Sequence, residues 1–163
     1  MRNCDVRLAA SGEEMEAALL LRRRVFVDEQ GMFEQTDEDD EDSSSIYLNA
    51  WGSGSVLMGT VRCYPDRQEE GVWWGGRLAV HEAYRLRGIG VYLIEAAVEE
   101  MRRRGVQRFL AQVQEQNVKL FEKLGWRKAG ALYSIRDHPH QRMEVDLDVH
   151  DAQSRKRRQT AGS

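Results

Sequence analysis

The sequence predicts a mixed α/β (α+β) fold: a single domain in which helices cover both faces of a mostly antiparallel sheet. Three observations carry this expectation. Apolar positions switch between a period of two and a period near 3.6 in the order β-α-β-β-β-α-β-α-β-β, a pattern that buries itself only as a sheet with helices packed on it. The 163 residues suit one core, with the domain expected over residues 1–150 and a tail over 151–163. The stretch from Arg77 to Gly90 reads as a strand that breaks into an Arg/Gly turn and runs into a helix.

Val6 to Ala9 forms a short opening strand. Ser11-Gly-Glu-Glu14 has the form of a capping box, and Met15, Ala18, Leu19, Arg22 and Phe26 then fall on one helical stripe, with Arg22 its polar exception. The helix is expected to run to about Gln30 and stop at Gly31. Glu34 to Asp42 holds seven carboxylates in nine residues and is followed by Ser43 to Ser45. Such a run repels itself and reads as a solvated, mobile loop; the alternative is a lid that attracts a cationic acceptor.

Three strands follow, Ile46 to Trp51, Val56 to Tyr64 and Gly71 to Val80, joined by hairpin turns at Gly52–Gly54 and Pro65–Glu70. Gly75 and Gly76 inside the third would weaken a regular strand, so a bulge or a closely approaching ligand is expected there. After the Arg/Gly turn, Leu93, Ile94, Ala97, Val98 and Met101 repeat with helical spacing up to Gly105. Arg108 to Gln114 reads as a strand, Asn117 to Leu124 as a short helix, and Trp126 to Tyr133 and Arg142 to Val149 as the last two strands. The basic tail, including Arg155 to Arg158, has no apolar periodicity and is expected to be disordered.

Composition narrows the function classes. A net charge of −3 argues against a general nucleic-acid binder, and no apolar run is long enough to span a membrane. Cys4 and Cys63 lack metal-ligand spacing and fit a reducing cytoplasm. The acidic run lacks the spacing of a calcium loop, and no metal is expected.

The Arg/Gly turn carries the chemistry. A helix that opens directly after a strand leaves backbone N–H groups pointing outward, where an anionic phosphate binds well. Arg85 and Arg87 add mobile positive charge, and Gly88 and Gly90 let a ligand approach the backbone. The third glycine of a dinucleotide fingerprint is absent, as is the Gly-Lys-Ser/Thr of a P-loop.

On these residues the chain resembles the GNAT superfamily of N-acetyltransferases. The family pattern Arg/Gln-x-x-Gly-x-Gly/Ala stands here as Arg85-Leu-Arg-Gly88-Ile-Gly90. Asn117-Val-Lys-Leu-Phe121-Glu-Lys-Leu-Gly125-Trp126 is similar to a second family motif. The resemblance covers Asp5 to Asp148. It implies acetyl-CoA as cosubstrate, with its pyrophosphate held by Arg85, Arg87, Gly88, Ile89 and Gly90. Backbone groups of Leu78, Ala79 and Val80 would hold the pantetheine arm and thioester, and Asn117 and Phe121 would line the CoA site. Leu21 to Gly31 and Pro139-His140-Gln-Arg-Met143 resemble a subset of the family, and Gly71 to Arg77 is similar to bacterial members encoded beside nitrilases.

Two departures matter. Relatives commonly carry Tyr where Phe121 stands, so either another group supplies the proton for the leaving thiolate or the thiolate leaves without much help. Relatives also carry a Glu base on the strand before the turn, where this chain reads Trp73-Trp74-Gly75-Gly76-Arg77. His140 is the expected base, with His138 behind it, since an imidazole titrates near neutrality. Glu29 is expected as a solvated helix-end carboxylate, and Cys63 as a buried thiol rather than a nucleophile. The function implied is direct acetyl transfer to a primary amine, on a small-molecule acceptor, by a cytoplasmic enzyme that is a homodimer on base rates. The alternative is a non-catalytic acyl-CoA-binding or regulatory module.

Overall fold

The computed structural model describes residues 4–148. Its elements follow the expected order: β1 (Asp5–Leu8), α1 (Gly12–Arg23), β2 (Ile46–Trp51), β3 (Leu57–Pro65), β4 (Val72–Val80), α2 (Ile89–Arg103), β5 (Arg108–Gln114), α3 (Val118–Lys123), β6 (Trp126–Ile135) and β7 (His138–Val145). The strands make a seven-stranded, mostly antiparallel sheet. The described residues gather into two compact units, one of residues 4–64 with 75–97, the other of residues 65–74 with 98–148. The tail expected over 151–163 lies outside the described residues.

In the first unit the strands run in the order β1-β2-β3-β4. β1 pairs antiparallel with β2, and β2 with β3 through a register shift at Ala50/Trp51. Helix α1 starts as the capping box requires, because the Ser11 hydroxyl accepts from the Glu14 N–H at 3.2 Å. The Glu14 carboxylate reaches one residue further back than the motif prescribes, to the Ala10 N–H at 2.8 Å. The buried face of the helix is Ala18, Leu21 and Arg22, continued by Val25 and Phe26, whereas Met15 is exposed. Beyond Arg23 the helix widens into a π-turn over Arg24–Glu29, and Gly31 closes it with φ +63°. Helix α2 buries the five apolar positions its spacing predicts, Leu93, Ile94, Ala97, Val98 and Met101. It lies close over β3, since a Cβ on Gly59 would stand 2.8 Å from Leu93 Cδ1 and 2.9 Å from Ile89 Cγ2.

In the second unit β7 pairs antiparallel with both β5 and β6. Phe109, Phe121 and Trp126 form its aromatic core, with ring centroids 5.3 and 5.2 Å from the central Trp126. The last strand begins at His138 rather than Arg142, because Arg136 and Asp137 make a two-residue turn with φ of +51° and +65°. Ile135 therefore pairs directly with His138, and the Pro139-His140 element lies within a strand.

Candidate functional site

The strand-to-helix turn has the geometry its residues imply. Past Val80 the chain makes a 3-10 turn over Glu82–Arg87, started by the His81 imidazole, which accepts from the Ala83 N–H at 3.1 Å. Gly88 follows in the left-handed region at φ +73°, where a Cβ would be strained, and α2 begins at Ile89. The first N–H of α2 to reach back into the turn is that of Tyr92, which bonds the Gly88 carbonyl at 3.3 Å. The N–H groups ahead of it are free to meet an anion, and the first turn of α2 carries no acidic residue. Ile89 is buried beneath this turn and anchors it, while Gly90 sits beside Val80, to which a Cβ would come within 3.9 Å of Cγ2.

The two arginines of the turn differ. Arg85 is engaged: its Nη atoms form a two-pronged pair with the Glu29 carboxylate, and its Nε donates to the Val80 carbonyl at 3.1 Å. Hydrogen bonding to Arg85 holds the Glu29 carboxyl below the usual carboxylate range. Glu29 is thus the exposed helix-end carboxylate expected from sequence, with an ion pair to Arg85 that sequence did not show. A second pair, Arg24 to Glu82 at 2.6 Å, ties the π-turn to the same loop. Arg87 is exposed, with its guanidinium 5.4 Å from the Tyr84 ring centre. Arg87 and Tyr84 border a cleft of 720 Å³ that also touches Trp51 and Met58, so the mobile positive charge of the turn rests with Arg87.

The end of β4 presents its backbone in a definite sense. His81 N–H bonds the Met58 carbonyl of β3 at 2.8 Å. In a planar trans peptide the Val80 carbonyl must then point the opposite way, where Arg85 meets it. Within a strand the N–H and C=O of one residue share a side, so the Val80 N–H also faces away from β3. Ala79 is buried, and Leu78 is half-buried. The irregularity expected at Gly75 and Gly76 falls on their neighbour, since Arg77 has φ +51° and neither glycine has a positive φ.

The acidic segment corrects the sequence reading most. It is not solvated throughout: Asp37, Asp39 and Asp42 are engaged by three arginines. Arg22 is fully buried and donates through Nε to Asp37 at 2.8 Å and through Nη1 and Nη2 to Asp42 at 2.6 and 3.1 Å. Arg62 grips Asp39 in a fork at 2.6 and 2.8 Å. Arg77 donates to the Asp37 carbonyl at 3.0 Å, pairs with its carboxylate at 3.2 Å and lies 4.7 Å from the Phe33 ring centre. Burial alone would raise the Asp42 carboxyl, but the Arg22 hydrogen bonds and the Asp39 N–H pull it well below its ordinary value. The Tyr47 hydroxyl, buried and donating to Asp42 at 2.9 Å, is pushed up to about 12. Glu34, Glu38 and Asp40 of the run are exposed, and so is Asp39 even though Arg62 grips it. Sequence reasoning missed this cluster; its one available signal was Arg22 on an otherwise apolar helical stripe.

In the second unit His140 is buried, with Nδ1 2.8 Å from the His138 carbonyl and its ring 6.2 Å from that of Tyr133. A carbonyl only accepts, so Nδ1 carries a proton, which in a neutral ring would place the lone pair on Nε2. Asn117 stands at the N-terminus of α3, and its side chain does not cap the helix. Phe121 is buried edge-on against Trp126, a core position. Trp74 donates to Asp66 at 2.9 Å, and Trp73 lies under Arg104. Cys63, in the first unit, is fully buried. No cluster of three or more metal-ligating side chains occurs among the described residues, nor is any helix there long and apolar enough to cross a membrane.

Comparison with known proteins follows this geometry. Residues 13–126 match the Acetyltransferase (GNAT) family. A provisionally named acetyltransferase of Bacillus subtilis (strain 168), BSU40680, is 26% identical in a 142-residue alignment that covers 83% of this chain and 92% of that protein. The crystal structure of a provisionally named N-acetyltransferase from Lactobacillus plantarum is similar with a TM-score of 0.78 and 27% identity, covering 88% of this chain and 98% of its own. An acyl-CoA N-acyltransferase from Pseudomonas aeruginosa is similar with a TM-score of 0.75 and 25% identity, covering 88% and 99% of the two chains.

Proposed function

The chain belongs to the acetyltransferase (GNAT) family, and on that premise we propose that it moves an acetyl group from acetyl-CoA to a primary amine by direct transfer in a ternary complex. The observation that carries this reading is the turn between β4 and α2, where left-handed Gly88, the open N–H groups of the helix and exposed Arg87 suit a pyrophosphate. In this reading Arg85, Arg87, Gly88, Ile89 and Gly90 form the phosphate cradle. Leu78, Ala79 and Val80 carry the pantetheine arm, and Asn117 and Phe121 line the CoA site.

The Val80 N–H is the donor that polarises the thioester carbonyl and stabilises the tetrahedral oxyanion. Attack by the neutral amine forms the C–N bond and breaks the C–S bond. An amine acceptor is mostly protonated near neutrality, so a base must first take its proton. His140 is the proposed base, with Nδ1–H anchored on the His138 carbonyl and the Nε2 lone pair as proton acceptor. The CoA thiolate has a pKa near ~8.5 and leaves without a dedicated acid, in keeping with Phe121. The acceptor in this reading is a small-molecule amine.

Thiol release from acetyl-CoA across a panel of amines tests the proposal. Turnover is expected in the wild type, lost in Arg87→Glu and retained in Cys63→Ser. A second reading, a non-catalytic acyl-CoA-binding module, is favoured by the burial of Phe121 against Trp126, which leaves no hydroxyl at that position. Tight CoA binding without thiol release for any amine would support it instead.

A further inference from the structure

The left-handed backbone at Arg77 has its cause outside β4. A residue with a Cβ disfavours φ +51°, and Gly75 and Gly76, which would adopt it freely, stand immediately before. The chain nevertheless places the kink on the arginine, and the arginine side chain is held through Nε and Nη2. Nη2 and Nε reach the Asp37 carbonyl at 3.0 and 3.3 Å, Nε lies 3.2 Å from the Asp37 carboxylate, and Nη2 lies 3.4 Å from Asp39. The Phe33 ring closes over the guanidinium, and the Arg77 side chain as a whole is 12% exposed. Its partners are themselves immobilised, Asp37 by Arg22 and Asp39 by Arg62. The residues that follow the kink are Leu78, Ala79 and Val80.

We propose that Arg77 is a positioning residue: its ties to Asp37 and Asp39 hold β4 in the kinked path that presents Leu78 to Val80, so the acidic segment 34–45 sets the geometry of the thioester-binding strand. What that strand binds rests on the acetyl transfer proposed above; the mechanical coupling does not. A segment that sequence alone marks as solvent-facing is thereby wired to the donor strand through one guanidinium. A change in the order of the segment is felt as a change in the register of backbone donors offered to the thioester.

Alanine and glycine at this position separate positioning from simple bracing. Both remove every side-chain tie, but only glycine adopts φ +51° without strain. The experiment compares wild type, Arg77→Ala, Arg77→Gly and Asp37→Asn by acetyl-CoA dissociation constant, kcat, Tm and amide hydrogen exchange at Leu78–Val80. Arg77→Ala is expected to weaken acetyl-CoA binding and kcat about tenfold, the factor a left-handed penalty of that residue class implies. Arg77→Gly is expected to recover at least about threefold of that loss at a Tm no higher than that of the alanine variant. Exchange at Leu78–Val80 should quicken in Arg77→Ala and Asp37→Asn more than in Arg77→Gly. If Arg77→Ala does not fold, Arg77→Gln takes its place, since it also keeps a Cβ and loses the fork.

Equal loss in the alanine and glycine variants, with equal exchange, would overturn the proposal and leave Arg77 as a stability brace. A wild type that neither binds acetyl-CoA nor turns over, yet shows the exchange pattern, would support the coupling while removing the acetyl-transfer reading.

Discussion

Replacing Arg22 by Met is the sharpest test of the buried charge cluster. The substitution keeps the aliphatic reach of the side chain but removes the guanidinium that meets Asp37 at 2.8 Å and Asp42 at 2.6 Å. Asp37 is 1% exposed and keeps only Arg77 as a cationic partner, so most of its compensation is gone. Removing one member of a buried ion pair costs about 3–5 kcal/mol, because the other charge cannot rehydrate. Against a total stability of roughly 5–15 kcal/mol this is a large fraction. At about 2–4 °C per kcal/mol for a chain of this length, Tm should fall by about 6–20 °C. Urea and thermal unfolding followed by circular dichroism measure it, with the urea midpoint falling and the m-value unchanged. The double variant Arg22→Met/Asp37→Asn should recover at least about 1 kcal/mol by removing the stranded charge. A loss below about 1 kcal/mol in the single variant, the range of solvent-screened pairs, would refute the reasoning.

Three further outcomes are expected. Gly59→Ala would drive a Cβ to 2.8 Å from Leu93 and 3.2 Å from the Ala79 carbonyl, and should cost about 1–3 kcal/mol by denaturant titration, with weaker acetyl-CoA binding if α2 carries the proposed cradle. The carboxyls of Asp39 and Asp42 are depressed in the folded state, against burial that would raise them, by hydrogen bonds from Arg62 and Arg22 respectively. Their stabilisation is therefore fully present above the ordinary carboxylate range near ~4 and is lost as pH falls through the folded values. Urea midpoints measured from pH 6 downward should decline below about pH 4 in the wild type and more gently in Asp42→Asn. His140→Gln should lower kcat about 100-fold, leave the acetyl-CoA dissociation constant unchanged and flatten the acidic limb of the rate profile; an unchanged kcat would remove His140 from the mechanism.

Local periodicity made most of the fold legible. The five apolar positions of α2 and the boundaries of β2 and β5 follow directly from it, as does the placing of the Arg/Gly turn between a strand and a helix. The start of β7 was hidden because a two-residue turn with positive φ at both positions ordinarily announces itself by Asn or Gly, and here it is built from Arg136 and Asp137. The acidic segment was hidden for a different reason. Its partners lie far off in sequence, Arg22 fifteen residues before Asp37 and Arg77 forty after it, and a run of carboxylates resembles solvent-facing chain until those cations are known. The engagement of Arg85 was equally invisible, since Glu29 lies 56 residues away. Sequence pattern reports which residues can meet a phosphate; it does not report which are already occupied.

The π-turn at the end of the first helix bears on how the chain tolerates change in length. Gln30 N–H bonds the Val25 carbonyl at 2.9 Å, five residues back rather than four, so this turn accommodates one residue more than an α-helix would. Each residue of an α-helix advances the azimuth by about 100°. Deleting a single residue between Arg24 and Glu29 would let the turn relax to ordinary helix, which takes up the loss locally and keeps Glu29 in phase with Arg85 rather than a residue's rotation away. The angular phase of the helix, more than the reach of any side chain, thus determines which acidic group faces the Arg/Gly turn, and a family member one residue shorter here, with an ordinary α-turn, would keep the same pairing.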